Sequence, residues 1–231
     1  MRFHVRSGGA VLRGMAVVTV GLAAGLAGGG GTRPAAAQMV GVPVLQNAFL
    51  NPGVTFGADF AAASEAKVYG GALAWVPRNS KLQLSGGIGV LVPDGGSGKV
   101  TLGARAMLPI PALGSRSIGV AAFAGVGSLS AGGATETRIP LGASVGYRAT
   151  LGARRAVSAY VAPFLDYSRL KHDTVSVSKS LFRVSFGIDV AIASQLGLTV
   201  GYELGGRAPE GSPGPAGSLF GVGLSYALRK P

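Results

Sequence analysis

Residues 181–194 read LFRVSFGIDVAIAS, and the alternation within them decides the fold. Phe182, Val184, Phe186, Ile188, Val190 and Ile192 take every even position, with Arg183, Ser185, Gly187, Asp189 and Ala191 between them. Successive side chains of a β-strand point to opposite faces, so this strand has one wholly apolar face and one that is small, polar and charged. In a soluble sheet the apolar face would cover a protein core and the polar face would meet water. In a membrane-spanning barrel the apolar face meets lipid and the polar face lines the lumen.

The same parity recurs. Residues 138–149 set Ile139, Leu141, Ala143, Val145 and Tyr147 against Gly142, Ser144, Gly146 and Arg148. Residues 99–108 set Val100, Leu102, Ala104, Ala106 and Leu108 against Thr101, Gly103 and Arg105, and 54–62 set Val54, Phe56, Ala58 and Phe60 against Thr55, Gly57 and Asp59. Charges inside strands therefore fall on one face. About ten such segments follow one another, each near the roughly 9–11 residues a tilted membrane strand needs. They lie near 54–62, 68–76, 81–92, 99–108, 117–128, 138–149, 156–169, 182–194, 198–205 and 218–228. The expectation is an all-β, antiparallel up-and-down transmembrane β-barrel of about ten strands, eight being possible. PRNS, IPALGSR, LGARR and QLG read as short turns. AAASEAK, PDGGSG, SAGGATET, KHDTVSVSKS and RAPEGSPGPAG read mostly as longer loops on the opposite, outer side, with both ends of the barrel on the periplasmic side. A soluble sandwich shares the alternation and the turn signals but has no reason to sort its loops by length.

Composition agrees with strands in lipid. Only 13% of the 231 residues are charged, 40 are Gly, and no run beyond residue 37 is apolar for the roughly 18 residues a spanning helix requires. The net charge of +12 would suit nucleic acid, but Lys and Arg are scattered rather than clustered on one element with stacking aromatics, which argues against it. The N-terminus carries Arg2, Arg6 and Arg13, then an apolar stretch over 14–27, then Ala35-Ala36-Ala37 before Gln38, the pattern of a cleaved export signal. The expected organisation is a signal peptide over 1–37, a short periplasmic leader over 38–53 and an outer-membrane barrel over 54–231. Pro43 and Pro52 argue against a strand crossing that leader. With no Cys in the chain, neither a disulfide framework nor a lipidated cysteine is available.

Aromatic residues on the lipid-facing parity near strand ends form interfacial girdles in such barrels. The expected outer girdle is Phe60, Tyr69, Tyr167, Phe182 and Phe220; the expected periplasmic girdle is Trp75, Tyr147 and Tyr226. With these features the region 54–228 resembles the small Gram-negative outer-membrane β-barrel superfamily, the opacity-type and related barrels. The last strand, SLFGVGLSYAL, resembles through Gly223, Tyr226 and Leu228 the C-terminal signal read by the barrel-assembly machinery, although such signals usually end on an aromatic residue and this chain continues to Arg229, Lys230 and Pro231. The resemblance implies outer-membrane lipid and lipopolysaccharide as surroundings and that machinery as a partner in insertion.

Parity sends Asp59, Arg105, Arg148, Asp166, Arg183, Asp189 and Glu203 inward. Buried charges must be paired or wet, and both signs are present, so an ion-pair network closing the lumen is the economical expectation. Inward glycines, among them Gly70, Gly119, Gly146, Gly201 and Gly221, either relieve crowding or leave a narrow water path. A pore for small solutes, anion-preferring through Arg105, Arg148 and Arg183, is the alternative. A barrel enzyme is a weaker one: His172, beside Asp173 and near Ser168, matches no recognisable catalytic spacing, and general acid–base work needs a positioned partner. No cofactor is indicated, and metal ligation lacks Cys and paired His. PDGGSG and RAPEGSPGPAG lack the Gly-Lys-Ser/Thr ending of a phosphate loop. Arg78, Lys81, Arg116, Arg154, Arg155, Arg229 and Lys230 gather at the periplasmic rim, where anionic phospholipid would attract them.

Overall fold

A computed structural model describes residues 39–45, 47–50, 52–77, 80–151, 155–215 and 217–228, with only the backbone of Arg155. The expected signal peptide over 1–37, Gln38, Arg78, Arg154 and the 229–231 tail lie outside the described residues. The ten strands are β1 Gly53–Ala62, β2 Ala66–Val76, β3 Gln83–Pro93, β4 Lys99–Pro109, β5 Ile118–Ala131, β6 Ala134–Leu151, β7 Arg155–His172, β8 Val175–Ala191, β9 Leu196–Gly205 and β10 Leu219–Leu228. Each pairs antiparallel with its neighbours in sequence, and β1 pairs with β10 from Val54↔Leu228 to Ala62↔Phe220, closing the circuit. The fold is an all-β, ten-strand antiparallel closed barrel, consistent with a transmembrane barrel. Closure pairs the strand edges that an open sheet would leave exposed. No helix among the described residues is long and apolar enough to cross a membrane.

The period-two pattern sorts the side chains as the opening stretch implies. In β8, Arg183, Ser185, Asp189 and Ala191 are buried inside while Phe182, Phe186, Ile188 and Val190 are exposed outside. Large apolar side chains exposed on the outer surface encircle the barrel, including Leu73, Ile88 at 58%, Leu102, Leu141 at 61%, Leu165 and Leu224. An apolar surface of that extent is foreign to a monomeric soluble domain.

Four strands are longer than a membrane crossing needs. β5 has 14 residues, β6 and β7 have 18 each and β8 has 17, against 10 or 11 in the others. The segments SAGGATET and KHDTVSVSKS, expected as loops, are therefore mostly strand. They close on two-residue turns, Gly132–Gly133 with φ of 57° and 80°, and Asp173–Thr174 with Asp173 at φ 51°. Consecutive positive φ is the requirement of a tight hairpin turn, which two glycines meet without strain. The reason for the discrepancy is physical: beyond the lipid a strand keeps its hydrogen bonds but has no cause to keep an apolar face.

Candidate functional site: a packed and doubly closed lumen

The leader occupies the interior of the barrel. Met39, Val40, Val42, Val44, Leu45, Asn47 and Ala48 are almost completely buried, although none belongs to a strand. Met39, Val40 and Val42 pack with Ala61, Ala66, Val68, Leu91 and Leu129 near the end of the barrel where β1 meets β2. Val44 and Ala48 pack with Met107, Ala121, Phe123, Tyr160, Ala162 and Phe164 further down. The segment thus descends through the lumen, emerges at the other end and reverses into β1. Each fully buried Val, Leu or Met on this path favours docking by about 1.5–3 kcal/mol relative to exposure.

Five of the inward glycines are where the leader fits, whereas Gly142 and Gly187 make room for Phe164 and Tyr160 of the wall. A methyl group added at Gly221 would sit 2.5 Å from Pro43 Cγ and 3.1 Å from Leu45 Cδ1; at Gly201, 2.5 Å from Leu45 Cδ2; at Gly70, 2.7 Å from Met39 Cε; at Gly119, 3.0 Å from the Phe49 ring. At Gly146 it would collide with the Asn47 side-chain oxygen. The volume these strands omit is filled by the leader rather than left as a water path.

Polar groups of the wall fix the leader's position. Glu203 Oε2 accepts the Val44 backbone N–H at 2.9 Å, and Ser185 donates to the Val44 carbonyl at 2.7 Å. Asn47 Nδ2 donates to Ser158 Oγ at 2.6 Å and to Asp189 Oδ2 at 2.8 Å, and Thr199 donates to the other Asp189 oxygen at 2.5 Å. At the lower mouth the Arg148 guanidinium lies 4.3 Å from the centre of the Phe49 ring. There Phe49, Leu50 and the β4–β5 connection border a mostly apolar cavity of about 530 Å³, with Lys81 and Arg116 among its lining residues.

A second element closes the upper mouth. The 206–218 connection between β9 and β10 is held by two buried ion-pair clusters. Arg183 Nε meets Glu203 Oε1 at 2.6 Å, while its two terminal nitrogens donate to the Gly206 and Gly217 carbonyls at 2.8 and 2.9 Å. Arg138 Nε meets Glu136 Oε1 at 2.6 Å, Arg138 Nη2 donates to the Pro215 carbonyl at 3.1 Å, and Asp166 lies 3.9 Å from Arg138 Nη1. Glu136 also accepts from Ser168 at 3.2 Å, from the Gly214 N–H at 2.9 Å and from the Ser212 hydroxyl. Leader and lid touch, since Gly41 packs beside Pro215 and Val40 beside Gly214.

Of the seven charges expected inside, Asp59, Arg105, Asp166, Arg183, Asp189 and Glu203 are buried and Arg148 is half-buried. They form several local groups rather than one net: Asp59 interacts electrostatically with Arg105, whose guanidinium lies 5.9 Å from the Phe123 ring centre. Glu136 and Arg138 were not among the expected charges. They lie on the inward parity of β6, and that parity, carried back through ATETR, was the signal for them. Among the aromatic residues, Tyr69, Trp75, Tyr147, Tyr167, Phe182, Phe220 and Tyr226 are exposed on the outer surface and Phe60 is half-buried against Tyr69, with ring centres 5.3 Å apart. Phe186 and Tyr202 meet outside as a tilted pair, ring centres 5.9 Å apart, and belong with them by position.

His172 is not in an outer loop but ends β7, where it is exposed and lies 3.4 Å from Asp173. Ser168 turns into the barrel toward Glu136, so the structure does not bring His172 and Ser168 together. Among the described residues no group of three or more His, Cys, Asp or Glu could hold a metal ion.

The site and the fold together define a closed antiparallel barrel with an internal buried salt-bridge network. No family model matches the chain, and no curated protein matches it. Among solved structures it is similar to the N-terminal β-barrel domain of Pseudomonas aeruginosa OprF, at 10% identity and a TM-score of 0.33, over 75% of this chain and 96% of that one. A second solved chain, from work on the mechanism of in-meso crystallization of membrane proteins, is similar at 10% identity and a TM-score of 0.33, over 77% of this chain and 85% of that one. Neither likeness singles out the opacity-type barrels, and neither adds to what the closed strand circuit establishes.

Proposed function

We propose that this chain is a non-enzymatic outer-membrane barrel with an envelope structural or surface-interaction role, exported through its N-terminal signal and inserted by the barrel-assembly machinery. The single observation that carries the proposal is the sorting of side chains: a belt of large apolar residues exposed around the outside, and an interior filled by the leader, the 206–218 lid and paired charges. Barrels of about eight strands are filled by side chains, whereas wide aqueous channels need 16–18. At ten strands the lumen is still narrow enough for one extended segment to fill it. The arginines that an anion pore would use are engaged: Arg183 in ion pairing and lid carbonyls, Arg148 over Phe49, and Arg105 near the Phe123 ring and in electrostatic interaction with Asp59.

Fractionation of expressing cells tests the location. Recovery in detergent-extracted outer membrane, with gel mobility that changes on boiling, is the expected result; recovery as a soluble periplasmic protein would overturn the proposal. Planar-bilayer recordings of the intact chain test the closed lumen. No stable unitary conductance is expected, and a steady single-channel current would replace the structural role with the narrow-pore alternative.

A further inference from the structure

The outward face of the extended strands is unlike the belt below it. Moving up each strand, the last apolar outward residues are Val126 in β5, Ile139 in β6, Tyr167 in β7 and Phe182 in β8. Beyond them the register sets Ser128, Thr137, Arg169 and Ser178 in one row across the four strands. The next row holds Ser130, Thr135, Lys171 and Ser176. Two cations thus stand side by side on β7, flanked by hydroxyls, and neither row contains an acid. The hydroxyls are oriented by their neighbours: Ser130 and Thr135 bond at 3.0 Å, Tyr167 donates to Ser178 at 2.9 Å, and Arg169 Nε donates to Ser176 at 2.9 Å. Among the described residues neither Arg169 nor Lys171 enters an ion pair; Glu136 lies inside with Arg138, and Asp173 stands exposed at the tip, 3.4 Å from His172.

We infer that this face of β5–β8 binds the phosphorylated sugar headgroup of an outer-leaflet glycolipid. The inference rests on the outer-membrane placement proposed above and deepens it by naming the residues. Acyl chains lying against Leu141, Leu165 and Phe182 carry their headgroup to the level where apolar residues stop, and there Arg169 and Lys171 meet its phosphates. Arg supplies a planar fork for phosphate oxygens and Lys a point charge. The row hydroxyls donate to and accept from sugar hydroxyls, which a bare phospholipid headgroup would leave unused.

The test uses the full refolded chain in detergent, titrated with a lipid A-type bis-phosphorylated glycolipid, its dephosphorylated form and phosphatidylglycerol, with binding read by native mass spectrometry. Intact protein should retain the phosphorylated glycolipid at least about tenfold more tightly than either other lipid, as expected for charge-assisted contacts. Arg169→Gln/Lys171→Gln should abolish that preference, while Lys81→Gln/Arg116→Gln at the opposite rim should keep it. Equal binding of phosphatidylglycerol, or an unchanged preference in the Arg169→Gln/Lys171→Gln protein, would overturn the inference. Heat-dependent gel mobility of every variant is measured alongside. A chain that inserts and folds but shows no headgroup preference removes this inference alone, whereas a chain that fails to enter a bilayer removes the outer-membrane reading beneath it.

Discussion

Arg183 illustrates how much a single interior side chain supports. Its guanidinium is fully buried, pairs with Glu203 and donates to two lid carbonyls, while Glu203 in turn accepts the leader's Val44 N–H. Removing one partner of a buried pair leaves an uncompensated charge, a loss of about 3–5 kcal/mol, whereas replacing both by apolar groups of similar volume is often close to neutral. Arg183→Ala should therefore lower the temperature at which the compact gel form is lost, and Arg183→Met/Glu203→Leu should regain much of it. A double variant no better than the single one would mean that the lid and leader contacts, not the charge pair, dominate. Gly221 offers a cleaner probe of the leader, because all three atoms nearest an added Cβ there belong to Pro43 and Leu45. Gly221→Leu should expel the leader without disturbing the wall: residues 39–50 become open to protease while the boiled and unboiled mobilities stay as in the parent. Continued protection would contradict the leader's placement.

At the level of the strand, β8 passes from water to lipid along its length, and the same substitution should have opposite fates on its two parts. Ile188 faces outward, 52% exposed, well inside the belt, and Ser180 faces outward just beyond Phe182. A basic residue on the lipid face costs about 2–4 kcal/mol at the bilayer midplane and about 0–1 near its edge. Ile188→Arg should sharply reduce the fraction folded into phosphatidylcholine liposomes, and Ser180→Arg should leave it almost unchanged; equal folding of both would remove lipid from around β8. The strand also shows what sequence can and cannot disclose. Parity from Leu181 to Ala191 is legible because alternation is a local property imposed by lipid on one side and a packed lumen on the other. It fades over VSVSKS, where both faces are exposed and what continues is the backbone pairing with β7 and side-chain bonds such as Tyr167 to Ser178 and Arg169 to Ser176. For the same reason the alternation in β6 is legible only from residue 138, and Glu136, two residues earlier on the same inward face, falls outside it. The leader was less legible still: it has two prolines and no period, and its destination depends on wall glycines far along the chain, Gly221 meeting Pro43 across 178 residues being the longest such pair. The surplus of inward glycine was the available sign, since volume missing from a wall has to be supplied by something else.

For the molecule as a whole, the lumen is closed twice by elements anchored independently of the barrel's own hydrogen bonds. The leader is held by Glu203, Ser185, Ser158 and Asp189, and the lid by Arg138, Glu136 and Arg183. The strand circuit closes through β1 and β10 without either of them. Excising 39–50 should therefore leave an inserted, heat-modifiable barrel whose wall glycines face water. Shortening the lid alone should leave the bilayer silent, because the leader still fills the bore; excising the leader alone should give intermittent current under the remaining lid; removing both should give the largest and steadiest conductance. A free peptide of sequence VGVPVLQNAF, copied from 40–49, should block the leaderless barrel, because Val44 carries both backbone groups that the wall recognises and Asn47 the side chain that meets Asp189. Replacing Asn47 by Leu in that peptide should weaken the block, since Asp189 and Ser158 would lose a donor on binding. Silence of the doubly deleted barrel, with insertion verified, would mean that the wall side chains alone seal the lumen and that the leader only stabilises what is already shut.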